Sequence, residues 1–485
     1  LCCCLILLQG QVGIDSFYPG DTLMWNHIMA SGVPLQFPAA PRGVILPHHA
    51  ITTTAVARFY RGLQKVIQPQ TIFLIGPNHF DSGKHNIQTM DSCVYNTVYG
   101  ELEVDSGYVR QLVQNGIVFR DDRAFLREHA VFFHAPFIKR FFPRAKIVPI
   151  IIKWGTGTAE LDALVHELSQ IIPADALVLA SVDFSHYNFK EVADFHDITS
   201  YTTISNFNYS GLFSLEIDSP ASIYVIEKLM AAFGCKRAVR LLHTNSDDFT
   251  HTKEQRSTSH QYFAFFPGKA ERRENITVLA AGDIRTKNRV LFLRTQWPWD
   301  RGYRQDKDTT VTRFLKDLRG EEDRFFMGYD LYIFDLPETD KVYSFSKNGI
   351  TVNLLKLNER DGQAGGSGAQ AARIREAAKN ADHLIVLYQF NGGGGISAPR
   401  KQAVRGFIDN GADIILGRGP EGAAVDAAHM EYYKRKLIMY SLGDFITDGH
   451  DSGGELMQLL LTKDNIECRT LPLKIIRGYP EQAAE

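Results

Sequence analysis

Four short runs of this sequence are apolar almost from end to end: "GVIL" (43–46), "TIFLIG" (71–76), "KIVPIII" (146–152) and "ALVLASV" (176–182). A strand with one wet face alternates apolar and polar residues, so runs without alternation must be covered on both faces. Segments with apolar residues at helical spacing follow or separate them, at 51–67, 108–117, 131–142 and 222–233. "HQYFAFF" (260–266) reads as a closing strand. Strands of this kind alternating with helices predict an α/β sheet with helices on both sides.

The chain has 485 residues, more than one core accommodates, and two domains are expected. The charged, polar stretch 268–275 marks the boundary, with one domain over 14–267 and a second over 276–485. In the second, strands are predicted at 276–284, 330–337, 350–357, 383–390 and 412–417, and helices at 371–381 and 399–411. "GQAGGSG" (362–368) and "NGGGG" (391–395) read as loops. Net charge is −2 and no long Lys/Arg run occurs, which argues against a nucleic-acid or polybasic membrane partner. Six cysteines, three of them clustered at Cys2, Cys3 and Cys4, form neither a disulfide framework nor a zinc spacing. The apolar residues within 1–13 are too few to span a bilayer. They are compatible with a signal-peptide or anchor remnant, hence an extracytoplasmic or membrane-anchored protein, and equally with a cytoplasmic one.

Three of the apolar runs end alike. "GVIL" leads into Pro47-His48-His49, "TIFLI" into Gly76-Pro77-Asn78-His79, and "LVLASV" into Asp183-Phe184-Ser185-His186. In doubly wound sheets, ligands bind outside the carboxyl ends of the strands. One histidine at a strand end is ordinarily a surface or hydrogen-bonded residue. Three in one domain predict a shared crevice. His129 and His134 lie between them in "REHAVFFHAP", five residues apart and so poorly placed for one helical face; at least one is expected to be structural.

"GVILPHHA", "FLIGPNHF", "REHAVFFHAPF", "KIVPIII" and "LASVDFSHY", with "DSFYPGD" ahead of them, resemble the Memo-like proteins, the B component of the AmmeMemoRadiSam set, over about 14–267. The resemblance implies the fold of the class III extradiol dioxygenases and a site for one divalent metal, most naturally Fe(II), with Cu or Zn as alternatives. It puts the first two ligands on His48 and His79. The third, a Cys in many relatives, falls on Asp218 in "IDSPASI"; Cys235 is the less favoured alternative. Two His and one carboxylate form the facial set of non-haem Fe(II) sites. The same segment also reads simply as a helix start, with Ser219 as N-cap and Pro220 at the first helical position. His186 and Asp183 match the family's "DFxH" segment, which implies an acid–base role for His186. His49 is a fallback ligand, and His129 a group that orients ligands or lines the pocket.

Residues 276–450 resemble the CapA-type domain of poly-γ-glutamate capsule proteins, related to the metallophosphoesterases, through "AAGDI", "DLYIFDLPE", "ADIILGRGPEGA" and "KLIMYSLGDF". Of that family's metal-binding positions Asp283 remains. Others read Asp335-Leu336-Pro337 and Gly417-Arg418-Gly419-Pro420-Glu421, without histidine. A dinuclear site needs more ligands than this, so the second domain is expected to lack metal chemistry. Three functions follow as alternatives: redox or dioxygenase-like chemistry on a small molecule at the first site, a non-catalytic metal-binding or scaffold role, and hydrolysis by the second domain.

Overall fold

The computed structural model describes residues 12–15, 21–91, 93–188, 190–250, 257–285, 293–294, 329–333, 340–359, 368–391, 396–418, 430–447, 452–476 and 479–482. The apolar stretch 1–11 lies outside them, as do Asp335, Glu421 and most of both glycine loops. The chain forms two compact units, Leu1–Glu271 and Arg272–Glu485, and both are α/β. Among the described residues no helix is long and apolar enough to cross a membrane.

The first unit is built on an eight-stranded sheet. Its centre is four parallel strands in the spatial order Gly43–Leu46, Leu177–Ser181, Thr71–Pro77, Lys146–Ile152. The run in Thr71–Pro77 is buried along its whole length. Each fully buried Val, Leu, Ile or Phe contributes about 1.5–3 kcal/mol, which is why the central strands need no polar face. Ser259–Phe266 and Arg237–Asn245 extend one side antiparallel; Ile87–Thr89 and Phe119–Arg120 extend the other.

The order matters for the site. The last of the four central strands in sequence, Leu177–Ser181, sits between the first two. Three neighbouring strands therefore end side by side, and His48, Asp183 and His79 are each the second residue past the end. Gly76 has a packing reason: a Cβ there would meet the Ala130 Cβ at 3.0 Å. Its absence lets the turn carrying Glu128 and His129 lie against this strand.

The helix predicted over 131–142 is two pieces, His129–Phe132 and Ala135–Phe141. Pro136 supplies no backbone N–H to the preceding turn, so the chain breaks at His134. The helix predicted from 222 runs over Pro220–Ala232, with Pro220 in its first turn and Ser219 Oγ accepting from Ser222 N at 3.3 Å. Ser219→Ala is expected to cost about 1 kcal/mol in urea unfolding, the usual worth of an N-cap.

Among its described residues the second unit contains two six-stranded sheets and a two-stranded ribbon. The predicted runs at 350–357, 383–390 and 412–417 are neighbouring parallel strands, Ile350–Asn358, His383–Gln389 and Ile414–Arg418. Helices Gly368–Ala377 and Ala398–Asp409 connect them. Gly282 and Gly417 permit close backbone approach: a Cβ would fall 2.1 Å from Gly443 O and 2.2 Å from Tyr440 O respectively. Arg400 closes this region over buried Glu359, with Nε–Oε1 2.8 Å and Nη2–Oε2 2.7 Å. Of the three acidic residues expected to be too few for a dinuclear site, Asp283 is described in backbone alone, and Asp335 and Glu421 lie outside the described residues.

Candidate metal centre

His48, His79 and Asp218 come together in the first unit. Asp218 Oδ2 is 3.0 Å from His48 Nε2 and 3.8 Å from His79 Nε2. The strand ends supply the two histidines. Asp218 arrives from the loop before Pro220–Ala232, tied down by paired backbone contacts: Asp218 N donates to Asp183 O at 3.2 Å, and Asp183 N donates to Asp218 Oδ2 at 3.1 Å. The helix-start reading of this segment is compatible with its ligand reading, since Ser219 caps the helix while Asp218 faces the histidines. Cys235 lies beyond that helix, near Phe233 O at 3.5 Å and beside Arg42.

Each histidine is oriented from behind. His79 Nδ1 lies 2.7 Å from Glu128 Oε1, and His79 N donates to Glu128 Oε2 at 2.9 Å. A carboxylate on Nδ1 keeps the proton there and leaves the Nε2 lone pair for a metal. His48 Nδ1 is 2.9 Å from Ser181 Oγ, which is 3.2 Å from His134 Nε2; His134 Nδ1 in turn meets the Tyr60 hydroxyl at 3.2 Å. Among the described residues neither His48 Nε2 nor Asp218 Oδ1 has a hydrogen-bond partner, although Asp218 Oδ2 lies 3.0 Å from His48 Nε2. A buried imidazole nitrogen and a buried carboxylate oxygen left without partners in one cluster suit a cation that both residues would contact.

Electrostatics agree. Asp183, Asp218 and Glu128 are all buried carboxylates, 8% exposed or less at the side chain. Burial opposes a charge on His79, but hydrogen bonds and attraction from Asp218 and Glu128 prevail and hold its pKa up at about 10. His48 is likewise raised, Asp183 and Asp218 outweighing its burial. Asp218 is driven far below the ordinary carboxylate range, the two histidines overcoming burial. The pocket favours positive charge, which imidazolium provides when no metal does. His129 behaves oppositely: burial, then His48 and His79, bring it down to about 4.

The donor set is wider than the three predicted ligands. Donor atoms of His48, His79 and His129 lie within 4.8 Å of one another, as do those of His48, Asp183 and Asp218. The His129 ring stacks on His79 with centroids 4.0 Å apart. Asp183 is partly committed, because His48 N donates to its Oδ1 at 3.0 Å. These His and Asp groups could hold one metal ion.

The other predicted residues lie at the periphery. His49 turns to His260, Nδ1 to Nε2 3.0 Å, and burial lowers its pKa. The Asp183 carboxylate faces His48, and His186 N donates to Glu216 Oε2 at 2.9 Å. His186 Nδ1 is buried with no hydrogen-bond partner among the described residues. Glu128, Ser181 and His260 escaped sequence reasoning, whereas the sequence singles out His134 with His129 as a pair of which at least one is structural. The one available signal was Glu128, a carboxylate adjoining a candidate histidine.

The comparisons with known proteins fall on the same two regions. The family model for Memo-like protein matches residues 15–261, and that for bacterial capsule synthesis protein PGA_cap matches 328–449. A MEMO1 family protein of Caldivirga maquilingensis is 30% identical over 217 residues, covering 42% of this chain and 76% of the relative. A MEMO1 family protein of Ignicoccus hospitalis is 26% identical over 272 residues, 51% of this chain and 95% of the relative. Among solved structures, an uncharacterized Escherichia coli K12 protein aligns with 46% of this chain and 98% of its own at 11% identity and a TM-score of 0.32.

Proposed function

The chain belongs to the Memo-like family, and from that premise we propose that its first unit is a single-metal protein, with Fe(II) held by His48, His79 and Asp218. The observation that carries this reading is the convergence of both Nε2 atoms on Asp218 Oδ2, with His48 Nε2 and Asp218 Oδ1 buried and unbonded among the described residues. Two imidazoles and a carboxylate are the donors of non-haem iron sites with open positions. Iron bound there would supply redox and O₂ chemistry toward a small molecule.

The chain's own residues would do the rest. Glu128 and Ser181 set the two imidazoles so that Nε2 faces the ion. The negative pocket draws the cation in and keeps it. His186, with an unbonded buried Nδ1 and a backbone fixed by Glu216, is the acid–base candidate. His129 supports a second reading, in which three imidazoles bind Zn or Cu in a non-catalytic role.

Elemental analysis after anaerobic purification, with O₂ consumption by the iron-loaded protein, separates the two. Iron with O₂ uptake that His186→Ala abolishes, while the metal is retained, supports the first. A tightly held zinc or copper insensitive to Asp218→Ala and lost in His129→Ala supports the second. A protein that binds no metal under any of these conditions sinks both.

A further inference from the structure

A second group of metal-type donors lies apart from this centre, on the helix Lys190–Ser205 and the edge strand Arg237–Asn245. Asp194 and Asp197 are three residues apart on the helix and so share one face. His243 points at them from the strand: Nε2 is 2.6 Å from Asp197 Oδ2 and 3.8 Å from Asp194 Oδ1. The donor atoms of all three lie within 4.8 Å of one another.

Acidic clusters often serve only as ion-pair networks, and this one has a cation of its own. Lys190 Nζ sits 3.1 Å from Asp194 Oδ2 and 3.0 Å from Asp248 Oδ1. It does not use the group up. Asp197 is 1% exposed and its carboxylate faces the cluster through Oδ2, yet its Oδ1 has no hydrogen-bond partner among the described residues. Asp194 Oδ1, the oxygen turned toward His243, is also buried and unbonded among the described residues. Leaving a buried carboxylate oxygen unmade costs about 1–3 kcal/mol, so two in one cluster call for a missing partner. Among the described residues the three carboxylates Asp194, Asp197 and Asp248 outnumber the two bases of the cluster, Lys190 and His243, so the local charge is negative.

We propose that Asp194, Asp197 and His243 form a second divalent-cation site, of the nitrogen–oxygen type that suits zinc. Lys190 holds the far oxygen of Asp194 and leaves the near one for the ion. His243 and Asp194 are 27% and 28% exposed at the side chain, so a fourth, solvent-supplied ligand has access. Binding places the ion between His243 Nε2 and Asp197 Oδ2; the imidazole bound this way carries its proton on Nδ1, and any proton between the two groups passes there or to solvent. Neither residue is a ligand of the first centre, so this site stands or falls independently of the function proposed above.

Zinc titration against a competing chelator, on metal-stripped full-length protein, tests it. Wild type should bind two equivalents, Asp197→Asn and His243→Gln one each, His79→Ala one, and His79→Ala/His243→Gln none. If the first centre does not bind zinc, wild type should bind one equivalent, lost in Asp197→Asn and kept in His79→Ala. Melting curves in chelator control for folding, and His243→Gln, at a partly exposed position, decides if Asp197→Asn does not fold. Full wild-type stoichiometry in a folded His243→Gln protein overturns the proposal and leaves an ordinary His–Asp ion pair.

Discussion

His79→Ala protein is expected to lose metal affinity at the first centre by more than about 100-fold, beyond the 10–100-fold typical of losing an outer hydrogen-bond partner. Glu128→Gln should fall within that lower range. It retains an acceptor for His79 Nδ1, now 2.7 Å from Glu128 Oε1, but removes the charge that strengthens the imidazole as a donor. Asp218→Ala should resemble His79→Ala, and His129→Ala should stay near wild type if the carboxylate is the third ligand. Chelator competition measures all four, and an unchanged affinity in His79→Ala would falsify the ligand assignment. The pH dependence has a definite sign. A ligating imidazole must be deprotonated, and in the metal-free protein burial of His79 is overcome by Asp218 and Glu128, which keep it protonated up to about 10. Below that value metal displaces a proton, so apparent affinity should rise about tenfold per pH unit for each proton released.

Replacing Glu227 by Met is expected to stabilise the protein. Glu227 lies in the helix Pro220–Ala232, is fully buried, and has no hydrogen-bond partner for either carboxyl oxygen among the described residues. Burial pushes its pKa well above the ordinary range, and Lys236 opposes this without reversing it. A group whose pKa rises on folding contributes its stability below the unfolded value and loses it as pH climbs toward the folded one. Wild type should therefore weaken from about pH 5 to pH 8, while Glu227→Met should weaken less. At pH 5 the variant should gain about 1–3 kcal/mol from removing an unsatisfied buried group, and more at pH 8. Urea unfolding at the two pH values checks this. A variant less stable than wild type at both would mean that the carboxyl has a partner not among the residues described.

Much of the first unit's frame was legible because it is local. A run such as Thr71–Pro77 can be buried on both faces only if nothing in it needs water, and that shows in consecutive residues. The same holds for His48 and His79, which follow their strands directly, and for Pro220 and Ser219 at the helix start. The break at His134 could have been read from Pro136, but the apolar spacing on either side hid it. The strand Arg237–Asn245, which brings His243 to the edge of the sheet, was not anticipated. Its half-buried residues do not keep a clean two-residue alternation, and a register shift between Arg240 and Leu242 disturbs the pattern further.

The sequence by itself determined an α/β sheet whose strands end in imidazole and carboxylate groups, since strand burial and strand-end position are properties of neighbouring residues. Tertiary structure alone decided which of those groups meet. Placing Leu177–Ser181 between the first two strands set Asp183 beside His48 rather than His186. The close pass at Gly76 brought Glu128 behind His79, and the sheet brought Ser181 and His134 behind His48. Such pairings join residues far apart in the chain, through strand order and helix approach. They depend on which surfaces pack together, and no local spacing encodes that.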